Sequence, residues 1–242
     1  MAGENLSGEV VAKRSLAEAI EKAGISEKEI SHVAMTGIEL NGLPLETERM
    51  REPLCLAKGV FWERPSVRTV IDIGAQKYVA IKCKNGVPWK IATNDKCALG
   101  TGRYLKMVAD LLDVPLEEMG ELARVSKQAV EVLSTCAVFA ESEIISLIHQ
   151  KYKPEDISAG VFRGLASRIY GTLLSVGIEE NLAIVGGGAK NSGVVRAIEE
   201  RVHLKIFVPE EPRILTAVGA ALIARDQKKG LKCEWQGSIS GH

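Results

Sequence analysis

Two cysteines of the 242-residue chain stand in similar surroundings, and their side chains are suited to metal chemistry. Cys97 follows the polar segment TNDK and Cys136 follows LST, and each directly precedes a helical pattern with an apolar face. A helix N-terminus favours an anionic group and lowers the pKa of a thiol placed there. Both side chains are therefore candidate thiolate ligands. Gly100 and Gly102 are interpreted as backbone that lets a bound group approach the helix start.

The number of ligands leaves several explanations open. Zinc sites and cubane iron–sulfur clusters usually take four protein ligands, and these two cysteines supply only half of them. Cys55, Cys83 or Cys233 could complete the set, or two copies of the chain could each give two ligands to one centre on a twofold axis. The third explanation is that the cysteines are inert, buried hydrophobes. A disulfide framework is not expected, because the chain has five cysteines and no CxxC pair.

Two turns with glycine follow apolar strand patterns and are suited to phosphate binding. VIDIGAQ carries a carboxylate at the strand end, and IVGGGAKN carries three glycines between a strand and a helix. Glycine lets backbone N–H groups approach phosphate oxygens, a helix N-terminus attracts anions, and a carboxylate holds Mg²⁺ through water. The candidate nucleotide-binding residues are Asp72, Gly74, Gln76, Gly186, Gly187, Gly188 and Asn191.

Either turn alone is equally well explained as a tight turn that needs a positive φ angle. Neither is a Walker A loop or a dinucleotide-binding GxGxxG motif. Gly74 and Gly186 are 112 positions apart. At this separation and in this order, the turns predict an α/β fold of the two-lobed ASKHA class, which is the class of actin, Hsp70 and hexokinase. We expect the two turns to face one another across the nucleotide.

Hydrophobic periodicity predicts the elements that position these turns. A β-meander is expected over Val67–Ile73, Tyr78–Lys82 and Val87–Ala92, with KNG as a hairpin turn. Helices are expected over 11–23, near 50–60, over 102–112, from Pro115, within 130–151, over 154–177 and over 214–225, and strands near 31–35 and over 204–208.

The predicted organisation has three parts. Residues 1–92 form a partial first lobe with the DIGAQ turn, residues 93–225 form a helical insert and a second lobe with the GGGAKN turn, and residues 226–242 form a loosely ordered tail.

Composition excludes several partners. Lys and Arg number 31 and Asp and Glu number 31, without a basic cluster, so a nucleic-acid partner is not expected. No apolar run reaches the roughly 20 residues of a membrane span, and the N-terminus lacks the apolar core of a signal peptide. The protein is predicted to be cytoplasmic.

The cysteine motifs resemble those of a known family. NDKCALGTGRYLKMVADLLDV and STCAVFAESEIISLI are similar to segments of the ATP-dependent activators of 2-hydroxyacyl-CoA dehydratases and the related ATPase subunits of benzoyl-CoA reductase. The 39-residue spacing between the cysteines agrees with that family. RTVIDIGAQ, DISAGVFRGLASRI, IVGGGAKNSGVVRAIEE and AVGAALIAR fit it in the same order, so the resemblance covers most of residues 45–225.

This resemblance implies a homodimer with one [4Fe–4S] cluster, bridged by Cys97 and Cys136 of both subunits. It also implies ATP or ADP with Mg²⁺ in each cleft, and nucleotide-driven movement of the helices that carry the cluster. Low-potential electrons, received from ferredoxin or flavodoxin, would pass to a 2-hydroxyacyl-CoA dehydratase or to a benzoyl-CoA reductase-like acceptor.

The sequence departs from the family pattern in several places. It has no DxGSxxxK phosphate segment, so we expect the fold to be N-terminally incomplete. Ala75 replaces a glycine, and Leu56 and Phe162 stand where histidine is usual. Alternatives are a degenerate cluster-binding subunit that does not hydrolyse ATP, or a metabolite kinase of the same superfold.

Overall fold

The structure, a computed structural model, describes residues 8–37, 47–94, 101–132, 137–228 and 238–239. Its helices are α1 (Gly8–Ala23), α2 (Glu52–Glu63), α3 (Gly102–Leu111), α4 (Met119–Arg124), α5 (Ala137–His149), α6 (Pro154–Val176), α7 (Ser192–Val202) and α8 (Leu215–Lys228). Its strands are β1 (Val33–Met35), β2 (Thr47–Arg49), β3 (Thr69–Ile73), β4 (Tyr78–Lys84), β5 (Val87–Thr93), β6 (Leu182–Val185) and β7 (Ser238–Ile239).

A five-stranded sheet with the order β6-β3-β4-β5-β7 organises the molecule. Strands β3, β4 and β5 form the predicted antiparallel meander. Asn85 and Gly86 connect β4 to β5 with φ angles of 53° and 75°. Two positive φ angles are what a two-residue type I′ hairpin requires, so the turn predicted from KNG is confirmed.

The two glycine turns lie side by side, which corrects the expectation that they face each other. Strand β6 pairs with β3 in parallel, and Asp72 is in register with Val185. Parallel neighbours end at the same edge of a sheet, so the DIGAQ and GGGAKN turns leave that edge together. The sheet thus takes strands from both sides of the lobe boundary suggested at residue 92.

Helices cover both faces of the sheet, which explains why β3 is buried along most of its length. Ile71 and Ile73 belong to a core formed with α3, α4, α5, α6 and α7. Val70, on the opposite face, packs with residues of α2 and with Leu215 of α8. Because side chains alternate along a strand, Asp72 shares the face of Val70 and α2.

Helices α2 and α8 touch through their backbones. A Cβ atom on Gly59 would lie 1.9 Å from the Leu215 carbonyl oxygen, and one on Gly219 would lie 1.7 Å from the Cys55 carbonyl oxygen. Only glycine fits at either position. The two crossed helices form the layer that packs on the face of the sheet that carries Val70 and Asp72.

Two predicted segments differ from the structure. The strand expected over 204–208 reduces to a single parallel bridge between Phe207 and Ala183. Proline ends this segment early, at Pro209 and Pro212, and both residues are buried. The tail was expected to be loose throughout, but Ser238–Ile239 pairs in parallel with β5, which gives that edge of the sheet a hydrogen-bonded neighbour.

The N-terminal region forms a smaller unit in which β1 and β2 pair in parallel. Helix α1 buries none of its residues. Within the described ranges, the structure contains no helix long and apolar enough to cross a membrane.

Candidate nucleotide-binding site

The carboxylate of Asp72 lies directly below the second glycine turn. A Cβ atom on Gly186 would stand 2.1 Å from Asp72 Oδ1 and 2.7 Å from the Ile73 carbonyl oxygen. Gly186 also has a φ angle of 80°, which side-chain-bearing residues rarely adopt. The glycine is therefore required both by its backbone conformation and by the carboxylate beneath it.

Asp72 is largely removed from water at the end of β3. Burial first, and then the nearby Glu52 carboxylate, raise the pKa of Asp72 to about 6, while Lys77 opposes the shift. Lys77 Nζ forms an ion pair with Glu52 Oε2 at 2.6 Å, which weakens its effect on the pKa of Asp72. A divalent cation near Asp72 would favour the ionised carboxylate for the same electrostatic reason.

The three glycines of the second turn have different surroundings. Gly188 packs on Ile73, whose Cγ2 would lie 2.5 Å from an added Cβ atom. Gly186 donates its backbone N–H to the Pro212 carbonyl at 2.9 Å. Gly187 is exposed, and an added Cβ atom would meet no atom within 4 Å. Gly187 is thus the position of this turn where a ligand can approach the backbone.

The first turn is closed by its own hydrogen bond. Gly74 donates its N–H to the Lys77 carbonyl at 2.9 Å. Ala75 and Gln76, at the tip, are exposed, so their backbone and side chains are open to a ligand. The Ala75 methyl group occupies part of that open side.

Helix α3 begins on the first turn. Gly102 donates its N–H to the Gly74 carbonyl at 3.0 Å, and Arg103 donates its N–H to the Ala75 carbonyl at 2.9 Å. An added Cβ atom on Gly102 would lie 3.4 Å from the Gly74 carbonyl oxygen. The structure therefore assigns Gly102 a role that the sequence did not indicate, because this glycine contacts the phosphate-type turn. The two N–H groups are donors that a helix start leaves unpaired, and the turn carbonyls satisfy them.

Asn191, predicted to contact nucleotide, caps helix α7. Its Oδ1 accepts the N–H groups of Gly193 at 3.0 Å and Val194 at 3.3 Å. Its Nδ2 donates to the Leu116 carbonyl at 2.9 Å. The side chain is buried and ties the start of α7 to the segment before α4. An asparagine directly before a helical pattern is an N-cap signal that could have indicated this role.

Cys97 and Cys136 both lie outside the described residues. The described chain resumes close to each of them, because α3 begins at Gly102 and α5 begins at Ala137. Helix α3, the first described element after Cys97, is hydrogen-bonded to the DIGAQ turn.

Two of the other cysteines are positioned as core residues. Cys55 is fully buried in α2, and Cys83 is buried in β4. Burial raises the pKa of Cys83 to about 11, so its thiol stays protonated at neutral pH. The described residues contain no group of three or more His, Cys, Asp or Glu side chains that could hold a metal ion.

A mixed sheet covered by helices on both faces, with two glycine turns at one edge, defines an α/β protein of the ASKHA class. The chain belongs to the BadF/BadG/BcrA/BcrD ATPase family, which matches residues 3–224.

Individual relatives agree with this assignment. The 2-hydroxyisocaproyl-CoA dehydratase activator of Clostridioides difficile is 39% identical over 209 residues, which cover 86% of this chain and 79% of the relative. The crystal structure of (R)-2-hydroxyglutaryl-CoA dehydratase component A from Acidaminococcus fermentans superposes with a TM-score of 0.87 and 37% identity, covering 93% of this chain and 87% of the other.

A second solved structure is described as carrying a nucleotide analogue. It is the activator of the 2-hydroxyisocaproyl-CoA dehydratase from Clostridium difficile with bound ADPNP. It is similar to this chain with a TM-score of 0.84 and 36% identity, covering 94% of this chain and 87% of the other.

Proposed function

We propose that this chain is an ATP-dependent activator that delivers low-potential electrons to a 2-hydroxyacyl-CoA dehydratase through a [4Fe–4S] cluster held between two copies. The observation that carries the proposal is the pair of hydrogen bonds from the first residues of α3 to the carbonyls of Gly74 and Ala75. They join the proposed nucleotide turn to the helix that follows Cys97.

The residues of the sheet edge fit a nucleotide phosphate with Mg²⁺. Gly187 leaves the open space that a phosphate needs, and Asp72 supplies a carboxylate that would hold the cation through water. Gln76, exposed at the tip of the first turn, would contact the same phosphate group. The likeness to an activator described with bound ADPNP supports this placement.

Thiolates are suitable donors for an iron–sulfur cluster, and Cys97 and Cys136 would hold it. A cluster supplies one-electron transfer at a potential tuned by hydrogen bonds and solvent exposure. The burial of Cys55 and Cys83 argues against their recruitment as missing ligands. Two ligands from each of two copies then complete the set of four.

The chain's own contribution to coupling is mechanical. Ligand binding that shifts the DIGAQ turn would move its carbonyls, and the first turn of α3 follows because its N–H groups are bonded to them. The apolar face of α3 packs in the core through Leu105 and Val108, so the helix moves as a body. Ferredoxin or flavodoxin would supply the electron.

Three other functions are compatible with this fold. An ATPase subunit of a benzoyl-CoA reductase-like complex would use the same coupling with another acceptor. A degenerate cluster-binding subunit would bind the cluster without hydrolysing ATP. A metabolite kinase of the same superfold would need neither cysteine.

The test is anaerobic purification with iron analysis and an ATPase assay. We expect about four irons per dimer, as one cubane requires, and their loss in Cys97→Ala and Cys136→Ala. Cys83→Ala serves as the matched control and should keep its iron. Full iron content in either of the first two variants would refute the cluster assignment, and an iron-loaded protein without ATPase activity would favour the degenerate subunit.

A further inference from the structure

A cavity of about 260 Å³ lies among α4, the loop after it, α6 and α7. Its lining comes from residues 123–129, 159–163 and 193–200. None of these residues belongs to the DIGAQ turn or to Gly186, Gly187 and Gly188. The cavity adjoins the proposed nucleotide site without including its residues, because Gly193 of its lining donates its N–H to Asn191 Oδ1 at 3.0 Å.

Positive charge dominates the lining. Four cationic side chains, those of Arg124, Lys127, Arg163 and Arg196, surround the cavity, and Glu200 is the single carboxylate in its lining. Arg124 is partly neutralised, because its Nε lies 2.8 Å from Glu121 Oε2. Lys127 and Arg163 form no ion pair with any residue that the structure describes. The cavity consequently has an excess of positive charge, which an anion would compensate.

The loop that carries Lys127 is held in place by one carboxylate of α6. Asp156 Oδ1 accepts a hydrogen bond from Ser126 Oγ at 2.7 Å and from the Gln128 N–H at 3.2 Å. The Asp156 carbonyl accepts the Val130 N–H at 3.1 Å. These contacts fix the backbone on both sides of Lys127. Ligand binding therefore does not have to pay the entropic cost of ordering this loop.

Arg196 is fixed on the opposite wall. Its Nη2 donates to the Gly120 carbonyl at 2.6 Å, which ties α7 to α4. Phe162 and Gly193, which also line the cavity, pack tightly together, because an added Cβ atom on Gly193 would lie 2.5 Å from the Phe162 ring. The cavity is thus bounded by packed elements and keeps its shape without a ligand.

We propose that this cavity binds a small anion bearing phosphate groups. Its volume is below the 300–1,000 Å³ typical of sites for drug-sized ligands, so a compact ligand such as phosphate, pyrophosphate or a small phosphate ester fits best. Arginine suits such a ligand because its planar guanidinium binds two phosphate oxygens at once.

The site has a structural link to the segment before Cys136. The loop continues from the cavity across α6, where an added Cβ atom on Gly160 would lie 1.8 Å from the Val130 carbonyl oxygen. An anion bridging Lys127, Arg163 and Arg196 would hold this loop against α6 and α7. Occupancy would thereby restrain the chain that leads to Cys136.

The experiment is calorimetric titration of the full-length protein with phosphate and with pyrophosphate at constant ionic strength. Lys127→Gln and Arg163→Gln each remove one cation of the cavity. Lys205→Gln, a surface lysine with 94% of its side chain exposed, removes the same charge elsewhere. The titrations are repeated in the presence of saturating ADPNP, which would fill the proposed nucleotide site.

We expect one of the two anions to bind with millimolar or better affinity, about tenfold more weakly in each cavity variant and unchanged in Lys205→Gln. Saturation with ADPNP should leave this binding intact. The proposal fails if neither anion binds, if the cavity variants bind like the wild type, or if ADPNP abolishes binding. If ADPNP itself does not bind, the proposed nucleotide site fails, while the comparison of variants still tests the cavity.

Discussion

The Asp72 carboxylate lies under Gly186, with only 2.1 Å between its Oδ1 and the place where a Cβ atom of residue 186 would stand. This contact joins the ends of two parallel strands at the edge of the sheet. It places the candidate cation ligand and the glycine turn in one site, although they are distant in sequence.

Gly186→Ala should damage both stability and nucleotide binding. The added methyl group would collide with the Asp72 carboxylate, and the positive φ angle adds strain, so we expect a loss of about 3 kcal/mol in the free energy of unfolding. Chemical denaturation measures the loss. Gly187→Ala is the matched control, because open space surrounds that position, and it should retain stability. Equal stability of the two variants would contradict the geometry.

Asn191→Ala should destabilise the protein by about 1–2 kcal/mol, because α7 loses its cap and the Leu116 carbonyl loses its donor. Asn191→Asp keeps an oxygen for the helix N–H groups but cannot donate to Leu116, so its loss should be smaller. Denaturation midpoints measure the difference. If Asn191→Ala leaves stability unchanged and only weakens nucleotide binding, the side chain serves the ligand and the cap is unimportant.

The crossing of α2 and α8 should tolerate no side chain at either glycine. Gly59→Ala or Gly219→Ala would push the helices apart at backbone contact, at a cost of about 3 kcal/mol or more. Gly171→Ala, in α6, is the control, since an added Cβ atom there meets nothing within 4 Å. That change should stabilise the helix by about 0.5–1 kcal/mol. Thermal unfolding of the three variants would reveal any disagreement.

Asp226 should make stability depend on pH in the acidic range. Its carboxylate lies 2.8 Å from Lys58 Nζ and 2.8 Å from Arg225 Nη2. Hydrogen bonds from Lys58 and then Arg225 lower the pKa of Asp226 in the folded protein. The folded state therefore holds fewer protons than the unfolded state between the two pKa values. The stabilisation is present above the unfolded pKa of about 4 and is lost as pH falls through the lower, folded pKa.

Unfolding free energies of the wild type and Asp226→Asn, measured from pH 3 to pH 7, test this direction. The difference between them should be largest near neutral pH and should shrink as the pH falls. A difference that grows on acidification would show that the sign is wrong.

Local patterns predicted local structure well. The KNG hairpin, the helix predicted over 154–177 and the strand–turn–helix around residues 182–202 depend on contacts close in sequence, and the structure confirms all three. Gly177, for example, ends α6 with a φ angle of 83°, a conformation that few other residues adopt.

Long-range pairing was not predictable in the same way. Periodicity reports which side chains face a core, but it does not report which strands are neighbours, so the pairing of β3 with β6 reversed the expected placement of the two turns. The short pairing of Ser238–Ile239 with β5 carries too few residues for a periodic signal. The contact between Gly102 and Gly74 was not predicted for a related reason, because the two residues are far apart in sequence.

We propose that the nucleotide turn and the helix after Cys97 move together. Gly102→Pro replaces the N–H that bonds to the Gly74 carbonyl with a ring carbon that pushes this carbonyl away, while the helix itself accepts proline at its first position. Gly102→Ala keeps that N–H and is the control. The most direct measurement is ATP-dependent electron transfer to the acceptor by the two iron-loaded variants, with nucleotide affinity determined on the same samples.

We predict that Gly102→Pro loses at least about tenfold in ATP-dependent transfer while binding nucleotide within about threefold of Gly102→Ala. If Gly102→Pro supports ATP-dependent transfer at the rate of Gly102→Ala, the turn and the helix are not coupled through this hydrogen bond.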